Sequence, residues 1–358
     1  MNQLIIGIGG AGTHVINKLI KTREAQNNQR VEYIAIDCDL SSEIDRLNLG
    51  HIALNVGLDS GHAKIGMKEF KNLWTGPPMT LDEYTLTIPG TGQIRPIGRF
   101  AIFMHAVKIR ERITEKINSI NDYDIHHFGR TNSLQIDICF SIAGGMGSGG
   151  FLDVMNIAQD VCRATNTEAS IRGNIFMPHL YDQMITQQLP KIHIFGNAYA
   201  ALRELYFLAK GGTIELYTGE ITGSGPTFKL ETTMATGLYG SIRIFNIWSN
   251  EIRHWQNNYI IHPTYQLRPS NEEENSIFSL CADMITNRLY IGCPGPCCEN
   301  QTPSIWKIDA KMKEEYQKNA SIFSYHIDKE IKTKMDSIQL EVPIVCEGGF
   351  NPYMPHLL

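Results

Sequence analysis

The chain has 358 residues, 42% of them hydrophobic and 19% charged, with a formal net charge of −5. At roughly 150 residues per domain this length suggests two domains, and the apolar content excludes a disordered chain. The acidic balance argues against nucleic acid as a direct ligand, and there is no apolar run of about eighteen residues to span a membrane.

The N-terminus enters its first apolar run without a basic stretch, so a signal peptide is not expected. Eight Cys, mostly scattered in apolar runs, fit reduced thiols better than a disulfide framework. Together these features lead us to expect a soluble cytoplasmic protein.

Leu4-Ile5-Ile6-Gly7-Ile8 is a short apolar run of the kind buried on both faces of a sheet. It leads into Gly9-Gly10-Ala11-Gly12-Thr13-His14, and Val15, Ile16, Leu19 and Ile20 then recur at helical spacing. Further strands are predicted at Tyr33–Ile36, ending in Asp37-Cys38-Asp39, and at Ile52–Val56. The stretch from Gly57 to Gly92, with Pro77-Pro78 and Pro89-Gly90, reads as loops with short helical pieces. One long helix is predicted from Ile97 to about Ile120.

The next strand, Ile136–Ile142, runs into a second glycine loop, Ala143-Gly144-Gly145-Met146-Gly147-Ser148-Gly149-Gly150, before a helix marked by Phe151, Val154, Met155, Ala158, Val161 and Cys162. A strand ending at Ile175–Pro178 and a helix from Asn197 to Leu208 follow. The Gly-, Thr- and Ser-rich region from Gly211 to Gly240 holds candidate hairpin strands at Thr213–Tyr217 and Thr227–Leu230. After a strand at Ser241–Ile247 comes a helix from Ser276 to about Leu289. Strands alternating with helices over this length indicate an α/β fold with a doubly wound, mostly parallel sheet.

The glycine loops carry the chemistry. Gly7-x-Gly9-x-x-Gly12 after a strand, with Asp37 ending the next one, satisfies the dinucleotide fingerprint of an NAD(P)-dependent oxidoreductase. It equally serves any phosphate that approaches a helix N-terminus, or simply packs strand against helix. A Rossmann fold, however, needs one phosphate loop. Here a later strand carries a second and denser one, with Gly144, Gly145, Gly147, Gly149 and Gly150 around Ser148. Consecutive N–H groups in such a loop form an anion nest, and two loops at neighbouring strand ends suit a nucleoside triphosphate.

These residues resemble the tubulin/FtsZ family of GTP-binding proteins. Ala143–Gly149 looks like the family's glycine signature, Gly7–Gly12 like the first nucleotide loop of FtsZ, and Ile34–Asp39 like the strand end that follows it. Gly92-Gln93-Ile94-Arg95-Pro96-Ile97-Gly98-Arg99 is similar to the γ-phosphate loop, most closely that of bacterial tubulin-like proteins. The resemblance implies phosphate contacts from Gly9, Gly10, Ala11, Gly12, Gly92, Gln93, Arg99, Ala143, Gly144, Gly145, Met146, Gly147 and Ser148. Arg95 or Arg99 would approach the terminal phosphate, or Arg99 would be a helix-start residue paired with a carboxylate.

The resemblance further implies base and ribose contacts from His14, Asp37, Asn250, Phe278 and Asp283. A carboxylate at Asp283 would accept from the guanine N1–H and N2–H₂ and repel the adenine N1 acceptor. GTP or GDP with Mg²⁺ is the implied ligand, the metal being held by no protein side chain. A helices-on-both-faces domain over 1–290, with its central helix at 276–290, and a reduced appendage over 291–358 (one helix from about Lys311 to Met335, a strand near Leu340–Val345) are the implied organisation.

The sequence departs from the family pattern at three places. His14 stands where FtsZ has Asn, and Met146 where the signature has Thr. The catalytic acid loop after the central helix has no counterpart: Tyr290–Asn300 offers Glu299, and Asp309 lies further on. Cys293, Cys297 and Cys298 form a cluster without a second ligand pair at zinc spacing. Three readings follow. The chain is a GTP-binding protein that self-assembles or binds partners, with GTP hydrolysis left open; a GTP-bound subunit of a multi-protein bacterial system that does not polymerise; or, on the first loop alone, an oxidoreductase.

Overall fold

The computed structural model describes residues 2–23, 30–38, 52–58, 90–178, 181, 194, 196–201, 204–205, 213–222, 227–236, 241–245, 281–282, 285, 304–305 and 341–342. Six parallel strands form the central sheet in the order β3-β2-β1-β4-β5-β8. They are β1 (Asn2–Ile8), β2 (Val31–Asp37), β3 (Ala53–Asn55), β4 (Leu134–Ser141), β5 (Ala169–Phe176) and β8 (Ser241–Phe245). Parallel strands joined by helical crossovers have both faces covered, which is why β1 and β4 are buried at every residue.

Side-chain alternation divides the core in two. Leu4, Ile6 and Ile8 of β1 and Ile136, Ile138 and Phe140 of β4 point to one face. There they meet helices α3 (Ala106–Phe128) and α4 (Gly145–Ala164). Ile5 and Cys139 point the other way, toward Val15, Ile16 and Leu19 of α1 (Gly9–Arg23). Cys281, Ala282 and Ile285, helical and buried, join this second cluster. They fall within the predicted helix at 276–290.

α1 follows β1 on one face and α4 follows β4 on the other, and the strand order reverses between β1 and β4. In open α/β sheets the crevice beyond the carboxyl ends of such a strand pair is where ligands bind. The doubly wound parallel sheet expected from sequence is the observed fold.

Two elements differ from expectation. The long helix predicted from Ile97 is two helices, α2 (Arg95–Met104) and α3, broken at His105 with φ −113° and ψ 16°. The His105 Nδ1 lies 3.0 Å from the Ala101 carbonyl, and the ring bonding back to the turn competes with helix propagation. The hairpin is longer than its sequence pattern suggested. β6 (Thr213–Thr222) and β7 (Thr227–Thr236) pair antiparallel over ten residues each, and β6 runs beside α2 and α3. A short antiparallel pair, β9 (Ser304–Ile305) with β10 (Glu341–Val342), includes part of the strand expected near 340–345. The helix expected over 311–335 lies outside the described residues.

At the amino ends of the strands the polar groups pair with one another. The buried Asp124 carboxylate accepts from the Asn2 amide, from the Asn132 amide at 2.7 Å and from the Asn132 backbone N–H at 2.8 Å, and it pairs with Arg30 at 3.2 Å. Burial would raise its pKa. The hydrogen bonds from Asn2 and Asn132 and the charge of Arg30 outweigh that and hold it below the usual carboxylate value. No helix among the described residues is long and apolar enough to cross a membrane.

Candidate functional site

Both glycine segments lie at the carboxyl edge of the sheet, and both are more helical than loops. α1 begins at Gly9 itself and α4 at Gly145, so most of each glycine run forms the first turns of a helix. Neither helix has an acid in its first turn, and the residue before α4, Gly144, offers no side-chain cap. The first N–H groups of a helix have no intrahelical partner and carry its positive dipole end. Two such ends therefore meet at one edge. A Cβ built on Gly9, which has φ +70°, would lie 3.3 Å from the Met146 Cβ and 3.6 Å from the Gly147 nitrogen.

The glycines fall into two sorts. Most are required by close backbone approach. A Cβ on Gly12 would come within 2.4 Å of the Cys139 carbonyl oxygen, and one on Gly147 within 2.3 Å of that of Ser141. Gly98, Gly145 and Gly149 let α2 and α4 touch backbone to backbone: a Cβ on Gly98 would lie 2.2 Å from the Gly145 oxygen. Gly10 and Gly144 are different. A Cβ on either meets nothing within 4 Å, and Gly144 has φ −76° and ψ 165°, which any residue adopts. Neither packing nor backbone conformation demands glycine at Gly144, and packing does not demand it at Gly10. One open glycine on each loop, beside two helix starts that carry no first-turn acid, makes a cradle that fits an anion.

The turn over 90–94 closes this edge. Gly90 (φ 70°), Gly92 (φ 54°) and Gln93 (φ 64°) are left-handed, and the Ile94 N–H donates to the Thr91 carbonyl at 2.8 Å. A Cβ on Gly145 would lie 2.6 Å from both the Ile94 oxygen and the Thr91 hydroxyl, so the turn abuts the second glycine segment.

The side chains of several expected ligand residues have partners within the protein. Ser148 is fully buried, and its hydroxyl donates back to the Gly144 carbonyl; its side chain faces its own helix. Arg99 is held by Asp153, with Nε 3.1 Å from the carboxylate and both residues buried. Of the two readings given for Arg99, this geometry fits the carboxylate-paired one. Arg95 pairs with Glu204, and its Nε donates to the Ser148 carbonyl at 2.8 Å. Burial pushes the Asp153 carboxyl above the usual carboxylate range even with Arg99 beside it. A buried pair of this kind adds little net stability over well-packed apolar residues, whereas losing one partner is costly.

Asp37 ends β2 at the same edge, where its carboxylate accepts from the Cys38 N–H at 2.7 Å. His14 is half-buried on α1. Ala11 is half-buried, Gly92 exposed and Met146 buried. Asn250, Phe278, Asp283, Glu299 and the cluster Cys293, Cys297 and Cys298 lie outside the described residues.

Two residues not read from the sequence prove structurally central. The Asn197 amide donates to the carbonyls of Gln93, at 2.7 Å, and Ala143, at 2.9 Å, tying the turn to the second glycine segment. Glu204 anchors Arg95. They stand seven residues apart, near the buried Ala198, Ala200, Ala201 and Leu205, and polar residues that are only 4% exposed mark something held in place.

A family model described as "Tubulin like" matches residues 4–320. The chain belongs to the tubulin-like family. No curated protein matches the sequence. Among solved structures, CetZ2 from Haloferax volcanii, a GTPγS-bound protofilament, is similar at 11% identity and a TM-score of 0.40, over 80% of this chain and 58% of that one. TubZ of Clostridium botulinum phage c-st is similar at 11% identity and a TM-score of 0.34, over 56% of this chain and 46% of that one. A two-stranded TubZ-Bt filament matches at 11% and 0.40, over 80% and 54%. This chain thus spans about half the length of these solved relatives.

Proposed function

We propose that this tubulin-like chain binds GTP or GDP, with the phosphates lying across the carboxyl ends of β1 and β4. The observation that supports it is the pair of open glycines, Gly10 and Gly144, at the strand-order reversal where two helices without first-turn acids begin. The α1 and α4 N–H groups would hold the phosphate chain, and Mg²⁺ would travel with the nucleotide rather than on a protein carboxylate. Bound GTP supplies a terminal phosphate whose presence or absence switches the surface around it. Asp283 would read guanine, and the nucleotide state would govern self-association, the behaviour named for the similar CetZ2 and TubZ-Bt structures. The assignment of 1–290 to nucleotide binding and 291–358 to an appendage belongs to this proposal.

Binding without efficient turnover is a second reading with its own support. Arg95 and Arg99 are both engaged by buried carboxylates, and the stretch Tyr290–Asn300 contains Glu299 as its one acid. Mass spectrometry of the ligand released after native purification tests the proposal. Recovery of a guanosine nucleotide supports it, recovery of NAD overturns it, and Asp283→Asn should lower GTP affinity and relax base choice. Sedimentation with a non-hydrolysable GTP analogue separates filaments from discrete subunits, and phosphate release across a range of protein concentrations tests turnover.

A further inference from the structure

Asn197 occupies a position that nothing in the glycine motifs explains. Its side-chain amide has two N–H donors, and both are used: one carbonyl belongs to Gln93 of the turn, the other to Ala143, the residue before the open Gly144. That arrangement also fixes which end of the amide is nitrogen, since an oxygen there would face two acceptors. Gln93 has φ 64°, a conformation a non-glycine residue keeps only when its surroundings over-determine it. The bond to its carbonyl is one such restraint.

The peptide geometry gives the second bond a consequence. In a trans peptide the C=O of one residue and the N–H of the next point in opposite directions. Holding the Ala143 carbonyl toward Asn197 therefore turns the Gly144 N–H away from Asn197. The segment makes a parallel connection through Glu204, which anchors Arg95 while Arg95 donates to the Ser148 carbonyl in the first turn of α4. Asn197 and Glu204, both in helical backbone, thus hold the second glycine segment, one directly at Ala143 and the other through Arg95 at Ser148.

We propose that Asn197 is a positioning residue for phosphate binding: its amide sets the separation of the 90–94 turn from the second glycine segment and aims the Gly144 N–H. Glu204 supports the same segment through Arg95. The inference rests on the nucleotide reading above.

The test measures GMP, GDP and GTP affinities by calorimetry for the whole chain and its Asn197→Ala and Asn197→Ser variants. Each added phosphate tightens binding by some factor in the wild type. For Asn197→Ala we expect that gain from GMP to GTP to shrink roughly tenfold while GMP affinity stays within about threefold. Asn197→Ser keeps one donor and should fall between the two. Equal losses for all three nucleotides, or no loss, overturn the positioning role and indicate a structural one. A wild type that binds none of the three overturns the nucleotide reading itself, a separate result. Glu204→Gln, which keeps a hydrogen-bond acceptor for Arg95, is the second variant should Asn197→Ala not fold. It should shrink the same gain by a smaller factor, and an unchanged gain overturns the role of the segment.

Discussion

The two glycine segments look alike in sequence and differ in what surrounds them. The first, Gly7–Gly12, closes on its own strand and on β4: a Cβ on Gly7 would lie 2.5 Å from Gly12, and one on Gly12 2.4 Å from Cys139. The second, Gly144–Gly150, touches its own strand at Gly147 and Ser141 and is otherwise gripped from outside, by α2 through Gly98, Arg95 and Ile102 and by the 90–94 turn. The second has more glycines, yet each segment has a single position where an added methyl group meets nothing. Glycine density therefore measures backbone crowding, and the open positions measure the room left for a ligand. The difference also suggests that the second segment answers to movements of α2 and of the Asn197 segment, whereas the first is fixed by the sheet.

The largest effect should come from the grip on the second segment. Asp153→Ala leaves Arg99 buried without its carboxylate and should cost about 3–5 kcal/mol, measured by denaturant unfolding. The double variant Arg99→Met with Asp153→Leu should recover most of that loss, because the pair's desolvation offsets its attraction. A single variant as stable as wild type would show that the ion pair does not hold α2 on α4.

Next come the crowded glycines. Gly98→Ala and Gly147→Ala each drive a methyl group into a carbonyl oxygen and should cost roughly 2–3 kcal/mol. Unaltered melting of both would mean that the backbone contact is looser than described.

The opposite edge of the sheet supplies a control. Asp124 has its pKa lowered, so its contribution is present above the unfolded carboxylate value and is lost as pH falls through the lower folded one. Wild type should exceed Asp124→Asn in stability at neutral pH, with the gap closing below about pH 4. A gap that persists in acid would assign the effect to packing instead.

The smallest stability changes belong to the open positions. Gly144→Ala should alter stability by no more than about 0.5 kcal/mol, and Gly10→Ala, inside a helix, should raise it by up to about 1 kcal/mol. Both should nevertheless weaken nucleotide binding roughly tenfold. Unchanged binding in both variants would remove the cradle from the site.

The sheet and its edge were legible because they are written in local pattern. Apolar runs such as Leu4–Ile8 and Ile136–Ile142 end in glycine, and a helical period follows each. What stayed hidden depends on contacts distant in the chain. Arg99 and Asp153 are fifty-four positions apart, and Asn197 reaches Gln93 across one hundred and four; no period or motif joins such pairs. The break at His105 was masked because Phe103, Met104, Ala106 and Ile109 keep an apolar rhythm across it. The glycine motif places Ser148 at the phosphate edge, and the bond from its hydroxyl to the Gly144 carbonyl is a local choice of partner that sequence alone does not resolve.

Calorimetric titration of nucleotide-free protein with GTP, GDP, ATP and NAD addresses the central claim most directly, with Gly10→Ala and Gly144→Ala run alongside. Saturable binding of GTP, competed by GDP and weakened in both variants, is the predicted result. Binding of NAD but not GTP, or GTP binding unaffected by either methyl group, would contradict it.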